Sequence, residues 1–176
     1  MQTDARSRTP ELLAIALILI PAARAQSQAY RVKDISTTPP SDFGSSPGGF
    51  VTLGTRVVFA ASDAQAGAEL WRSDGTTAGT ERVKDLMPGS GSGNPSGLVI
   101  GNGMLIFSAT DGSYGTELWK SDGTAAGTTM VKDINLGPGG SSPSYLTSTG
   151  TTVFFTAYDG SATSLWKSNG TAAGTV

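Results

Sequence analysis

Beyond residue 25 the apolar residues of this chain come in short runs, and none follows a helical period. Val57-Val58-Phe59, Leu105-Ile106-Phe107 and Val153-Phe154-Phe155 are contiguous apolar stretches, each flanked by residues that favour turns. A strand with one wet face would alternate apolar and polar side chains, so contiguous stretches predict strands buried on both faces. These strands span Arg56 to Ala61, Met104 to Ala109 and Thr152 to Ala157. Ahead of the middle one lies a strand Ser96 to Ile100 that ends at Gly101-Asn102-Gly103, a tight hairpin signal, and Gly54 and Gly150 mark the same break elsewhere. After each comes a third strand carrying Leu70-Trp71, Leu118-Trp119 or Leu165-Trp166, then a Ser-Asp-Gly-Thr or Ser-Asn-Gly-Thr turn. A fourth strand runs through Val83-Lys84-Asp85 or Val131-Lys132-Asp133. Its charges among few apolar residues predict an exposed rim that resists edge pairing.

The four-strand unit recurs. Trp71, Trp119 and Trp166 are spaced by 48 and 47 residues, and Pro47, Pro95 and Pro143, Phe59, Phe107 and Phe155, and Asp63, Asp111 and Asp159 by 48. The single deletion, between Asp159 and Leu165, marks that stretch as a loop. A period in this range, filled by four short strands, is the mark of a propeller blade. The predicted fold is therefore all-β, a β-propeller-type array of about three four-stranded blades with a 47–48-residue repeat. Its repeats are residues 46–86, 87–134 and 135–176, the last with an incomplete outer strand. An N-terminal segment, 26–45, holds a further outer strand at 30–35, Tyr30-Arg31-Val32-Lys33-Asp34-Ile35, which is expected to complete the last blade. Rings need about 4 to 8 blades, so the chain is either a fragment of a larger propeller or half of a six-blade homodimer.

Residues 1–25 change the picture of where this fold works. Arg6 and Arg8, the apolar run Leu12 to Ile20 and Ala23-Arg24-Ala25 have the form of a cleaved signal peptide. The apolar run reaches only about 14 Å as a helix, against a bilayer core of about 30 Å. A secreted or cell-surface protein is expected, with no stable membrane insertion of the mature chain. Export would remove Arg6, Arg8 and Arg24 with Asp4 and Glu11, leaving 9 of 12 basic and 12 of 14 acidic residues, a charge of −3. Without a basic stripe, nucleic acid is not an expected partner. The chain has no histidine and no cysteine. That removes Ser-His and Cys-His catalytic pairs, imidazole and thiolate metal sites, and disulfides. No cofactor and no metal are expected, and no EF-hand spacing supports calcium.

Glu69-Leu-Trp-Arg-Ser-Asp-Gly-Thr76 and Glu117-Leu-Trp-Lys-Ser-Asp-Gly-Thr124 resemble the bacterial ELWxxDGT repeat family, found in large secreted or surface proteins, especially of myxobacteria. The third copy departs from the signature with Ser164 for Glu and Asn169 for Asp. The resemblance implies an exported, propeller-like repeat protein and carries no established reaction. A weaker similarity is to small lectin propellers with blades of similar length. The Ser-Asp-Gly-Thr turn also resembles the Asp box of sialidases in a compressed form, itself a structural hairpin.

Candidate chemistry follows from the geometry of such an array. Trp71, Trp119 and Trp166 are expected to be core anchors. Asp74-Gly75, Asp122-Gly123 and Asn169-Gly170 are expected to be structural turns, since Asn makes the same turn without a charge. On the face shared by the loops after the second and fourth strands, Asp63, Asp111, Tyr114, Tyr158 and Asp159 are the candidate ligand-binding residues. Carboxylates beside aromatic rings suit sugar hydroxyls and ring faces; the simpler reading, and the favoured one, is that each Asp caps its own loop. The function expected is a non-enzymatic extracellular binding or adhesion module, its partner a glycan or a surface protein. Multivalent weak sites favour this, because repeated units raise avidity. The alternatives are a glycoside hydrolase using loop carboxylates and a passive spacer in a larger surface protein.

Overall fold

The computed structural model describes residues 31–37 and 44–176; the expected signal peptide and Tyr30 of the expected N-terminal strand lie outside them. Among the described residues the chain is all-β, with no helix long and apolar enough to cross a membrane. Three antiparallel sheets follow one another. The first holds β1 (Gly48–Leu53), β2 (Arg56–Asp63), β3 (Gly67–Ser73) and β4 (Glu81–Lys84) in that order. The second holds β5 (Ser96–Gly101), β6 (Met104–Thr110), β7 (Thr116–Ser121) and β8 (Thr129–Lys132). The third has three strands, β9 (Ser144–Ser148), β10 (Val153–Tyr158) and β11 (Thr163–Ser168). Each sheet is a meander of sequence neighbours, and none closes on itself.

The sequence repeat is a repeat of register. Phe59 pairs with Trp71, Phe107 with Trp119 and Phe155 with Trp166. The irregularity between the first two strands recurs in all three sheets, and the one between the last two in both four-stranded sheets. The β5–β6 hairpin turns on Asn102 and Gly103 at φ 53° and 73°, the left-handed pair that a two-residue hairpin needs.

Each sheet has two apolar faces, and neighbours share them. Val58, Leu70 and Val83 of the first sheet pack against Phe107, Ala109 and Trp119 of the second. Ile106, Leu118 and Val131 of the second pack in turn against Phe155, Ala157 and Trp166 of the third. We call the side that meets the preceding sheet leading and the other trailing. Strand β6, flanked on both sides, is buried from Leu105 to Ala109 without a break. Burying side chains such as Leu105, Ile106 and Phe107 is worth about 1.5–3 kcal/mol each. In β10 burial alternates, with Val153, Phe155 and Ala157 inside and Phe154 and Tyr158 exposed. Burial on both faces therefore holds for the middle unit and fails for the third, whose trailing side is open.

Two further expectations are corrected. The fourth strand is not a solvated rim: Val83 and Val131 are buried, and Lys84 and Lys132 reach across to the next unit, donating to the carbonyls of Thr128 at 2.7 Å and Thr175 at 2.9 Å. Residues 31–37 form no strand and do not complete the third sheet; they lie against the first. Lys33 donates to the Thr80 carbonyl at 2.7 Å, as Lys84 and Lys132 do one and two units later, and Ile35 packs on Phe59, Ala61 and Trp71. In the third sheet a fourth-strand pairing begins at Val176, which exchanges both backbone hydrogen bonds with Lys167 at 2.8 and 3.0 Å.

Candidate functional site

The loops after the second and fourth strands do share one end of the sheets. The amide of Asn94 donates to the Ala68 carbonyl and that of Ser141 to the Thr116 carbonyl, so each inter-unit loop is stitched to the start of a third strand. A Cβ on Gly115 would meet the backbone of Gly140 at 2.5 Å, and only glycine allows this approach of two loops.

What holds these loops is a pair of buried carboxylates. Glu69 and Glu117, the first residues of the Glu-Leu-Trp motif, have no exposed surface. Glu69 accepts from the amides of Leu86 and Gly93 at 2.8 Å each. Glu117 accepts from the amides of Ile134 at 3.1 Å and Ser141 at 2.8 Å, and from the Ser141 hydroxyl at 2.6 Å. Burial pushes both carboxyls above the usual glutamate range, and these donors pull part of the way back. The role of these glutamates was not anticipated from the sequence. The signal for it was their recurrence at one repeat position and their replacement by exposed Ser164 in the third copy.

The candidate ligand-binding residues are at this end, and the structure shows what each is committed to. Asp63 accepts from the amides of Gln65 and Ala66 through Oδ1, at 2.9 and 2.7 Å, and pairs with Arg82 through Oδ2 at 3.0 Å. Both its oxygens are spent on the fold. Asp111 and Asp159 each use Oδ1 to cap their own loop. Asp111 takes the amides of Ser113 and Tyr114 at 2.8 and 3.2 Å, and Asp159 those of Ser161 and Ala162 at 2.8 and 2.9 Å. Those amides hold the Asp159 carboxyl below the usual range. The second oxygen of each makes no hydrogen bond among the described residues. Tyr114 and Tyr158 are exposed, and the Tyr158 hydroxyl donates to the Gly160 carbonyl at 2.8 Å.

The opposite end carries the Ser-Asp-Gly-Thr turns. Gly75, Gly123 and Gly170 take φ of 88°, 85° and 84°. Asp74, Asp122 and Asn169 all accept from the amide and hydroxyl of the threonine two residues on. The hydroxyls of Ser73 and Thr80 meet at 2.7 Å across the hairpin, and Ser121–Thr128 and Ser168–Thr175 repeat the pair at 2.7 and 2.8 Å. A Cβ on Gly79 would lie 2.0 Å from the Asp74 carboxylate, which explains the closing Gly-Thr of the motif. The turn satisfies its own polar groups. Trp71 and Trp119 are buried and Trp166 is half-buried, with the Lys132 ammonium 5.6 Å from its ring centre. The indole N–H groups are buried without a partner among the described residues. The rings therefore contribute through packed area.

No family model matches the chain, and no curated protein and no solved structure is significantly similar to it. Among the described residues no group of three or more acidic side chains could hold a metal ion.

Proposed function

We propose that this chain is a non-enzymatic, exported binding module built as an arc of propeller blades, and that its ligand is a glycan. The observation that carries the reading is the loop end of the second and third units. There Asp111 and Asp159 are oriented by their own turns, each with one carboxylate oxygen left to accept, and Tyr114 and Tyr158 stand exposed on the same loops. Ionised carboxylates accept from vicinal sugar hydroxyls, and tyrosine faces stack on pyranose rings. The buried glutamates behind the first two inter-unit loops fix the surface in advance, which lowers the ordering cost of binding. Hydrolysis is disfavoured by the same geometry. Glu69 and Glu117, the carboxyls that burial makes easiest to protonate, are inaccessible and saturated with donors, each in its own sheet.

A passive spacer is the second reading, favoured by the use of Oδ1 of every candidate Asp in its own turn. Titration with purified bacterial envelope polysaccharide separates the two. The binding module saturates, and Asp111→Asn with Asp159→Asn lowers affinity at least tenfold with only a small fall in Tm, because Asn retains the turn acceptor. Asp74→Asn with Asp122→Asn leaves affinity unchanged. Absence of saturable binding, or equal losses from both pairs, would leave the spacer.

A further inference from the structure

The chain makes one kind of junction twice and carries the two unmatched halves of a third. In each internal junction the trailing face presents an apolar residue in the second strand, a leucine in the third and a cation two positions later. These are Val58, Leu70 and Arg72 in the first sheet, and Ile106, Leu118 and Lys120 in the second. The apolar pair is buried against the next sheet, and the cation donates to a turn glycine of that sheet: Arg72 to the Gly123 carbonyl at 2.5 Å, Lys120 to the Gly170 carbonyl at 3.1 Å. The third sheet repeats the set as Phe154, Leu165 and Lys167. Leu70 and Leu118 are 0% exposed, whereas Leu165 is 73% exposed.

The complementary face of the first sheet is only partly filled. Phe59, Ala61 and Trp71 are buried there, with Ile35 packed on them and Phe50 stacked on Phe59, while Phe50 and Val57 stay exposed. Beside them lies a hollow of about 550 Å³ lined by Phe50, Val57, Phe59 and Gly75. The Gly75 carbonyl, counterpart of those of Gly123 and Gly170, accepts no side-chain hydrogen bond among the described residues. What this face already holds is the equivalent of a fourth strand: Lys33 on the Thr80 carbonyl takes the place that Lys84 and Lys132 occupy in the internal junctions. Among the described residues no strand occupies the seat that the first three strands of a preceding unit would take. The third sheet is three-stranded.

A second observation points to the same pair of surfaces. Gly49 and Gly97 lie at φ 67° and 62°, and a Cβ on either would contact Leu98 or Leu146 of the following sheet at 3.6 or 3.2 Å. The third unit has Tyr145 at this position, at φ 59° and 85% exposed, a backbone state rarely adopted by a bulky residue. The residue it would meet, counterpart of Leu98 and Leu146, is Phe50, itself exposed and stacked on Phe59 with ring centres 5.1 Å apart. The glycine–leucine contact of the internal junctions thus becomes tyrosine–phenylalanine only where both partners are unmatched.

We propose that the trailing face of the third sheet in one copy of this chain docks on the leading face of the first sheet in a second copy. Leu165 and Phe154 enter the hollow, Lys167 donates to the Gly75 carbonyl, and Tyr145 extends the Phe50–Phe59 stack. Charge agrees, since Lys167 arrives beside Asp74 as Arg72 lies near Asp122. The interface is head-to-tail, so it either closes or propagates. Two copies bring six sheets together, within the range of about 4 to 8 blades at which propellers close. That closure, unlike the junction, rests on the propeller reading above.

Light scattering on the intact chain after size-exclusion chromatography should give twice the monomer mass. Leu165→Asp and Lys167→Glu, both changes of residues exposed in the single copy, should each return the monomer mass with unchanged circular dichroism. Because the chain has no cysteine, Tyr145→Cys and Phe50→Cys copies can be mixed with a short bis-maleimide. They should cross-link to each other in excess of either with itself. A monomer at every concentration, or cross-linking without preference for the mixed pair, overturns the proposal. Long polymers that Leu165→Asp abolishes support the junction and remove the closed ring.

Discussion

At the scale of single residues, the carboxylates divide by what surrounds them rather than by motif. Glu117 is buried and takes four donors from a loop seventeen or more positions away, whereas Asp122, five residues on, serves only its own turn. Glu117→Gln keeps the shape but turns an amide NH2 toward backbone N–H groups that need an acceptor. Stranding a buried donor costs about 1–3 kcal/mol. Urea unfolding should show a loss of that size, with hydrogen exchange at Ile134 and Ser141 rising first; a variant as stable as the parent would show that the loop does not depend on the carboxylate. The sequence revealed the turn aspartates because a Ser-Asp-Gly-Thr string is local chemistry. It concealed Glu69 and Glu117 because their partners lie in the loop beyond the next strand, and a glutamate within a strand normally faces solvent.

At the scale of elements, the strands and hairpins were legible and the burial of their faces only partly so. Contiguous apolar stretches identify strands flanked on both sides, but Val153-Phe154-Phe155 has the same pattern as Leu105-Ile106-Phe107 and is covered on one side only. A pattern records what a strand can bury, and the neighbour decides whether it does. The fourth strand was misjudged for a related reason: Lys84 and Lys132 look like edge charges, yet they are tethers to the turn of the next unit. Lys84→Met retains the aliphatic stem and leaves the Thr128 carbonyl without its ammonium. A loss of about 1.5–3 kcal/mol is expected from one charged-donor hydrogen bond, measured by thermal unfolding. No loss would mean that apolar packing alone sets the spacing of the sheets.

At the scale of the whole molecule, two sets of carboxyls set opposite pH dependences. Asp74, Asp122 and Asp159, held low by hydrogen bonds from their turns, and Glu81, held low by Arg72, bind protons less readily in the fold than in the unfolded chain. The stability they contribute is present above about pH 4 and is lost as pH falls through their folded values. Glu69 and Glu117 have raised values, so their contribution is complete below pH 4.5, the ordinary glutamate value, and declines as pH rises through their folded values. A melting-temperature series should fall on the acid side of about pH 4 and decline above pH 4.5. In Glu69→Gln with Glu117→Gln the upper decline should flatten while the acid fall stays; an unchanged upper limb would remove the glutamates as its cause. The number of units and their register were legible in the spacing of the tryptophans, but the placement of residues 31–37 against the first sheet was not, because Val-Lys-Asp marks a role without naming the unit it serves. The recurrence of the Lys-to-Thr tether has a consequence for how such a chain changes over generations. Both halves of a junction lie within one 48-residue period, so an in-frame duplication or loss of one period creates or deletes a joint whose surfaces already match. Copy number is then free to drift by recombination, while the aromatic residues Phe50 and Tyr145 set the first and third units apart from the second.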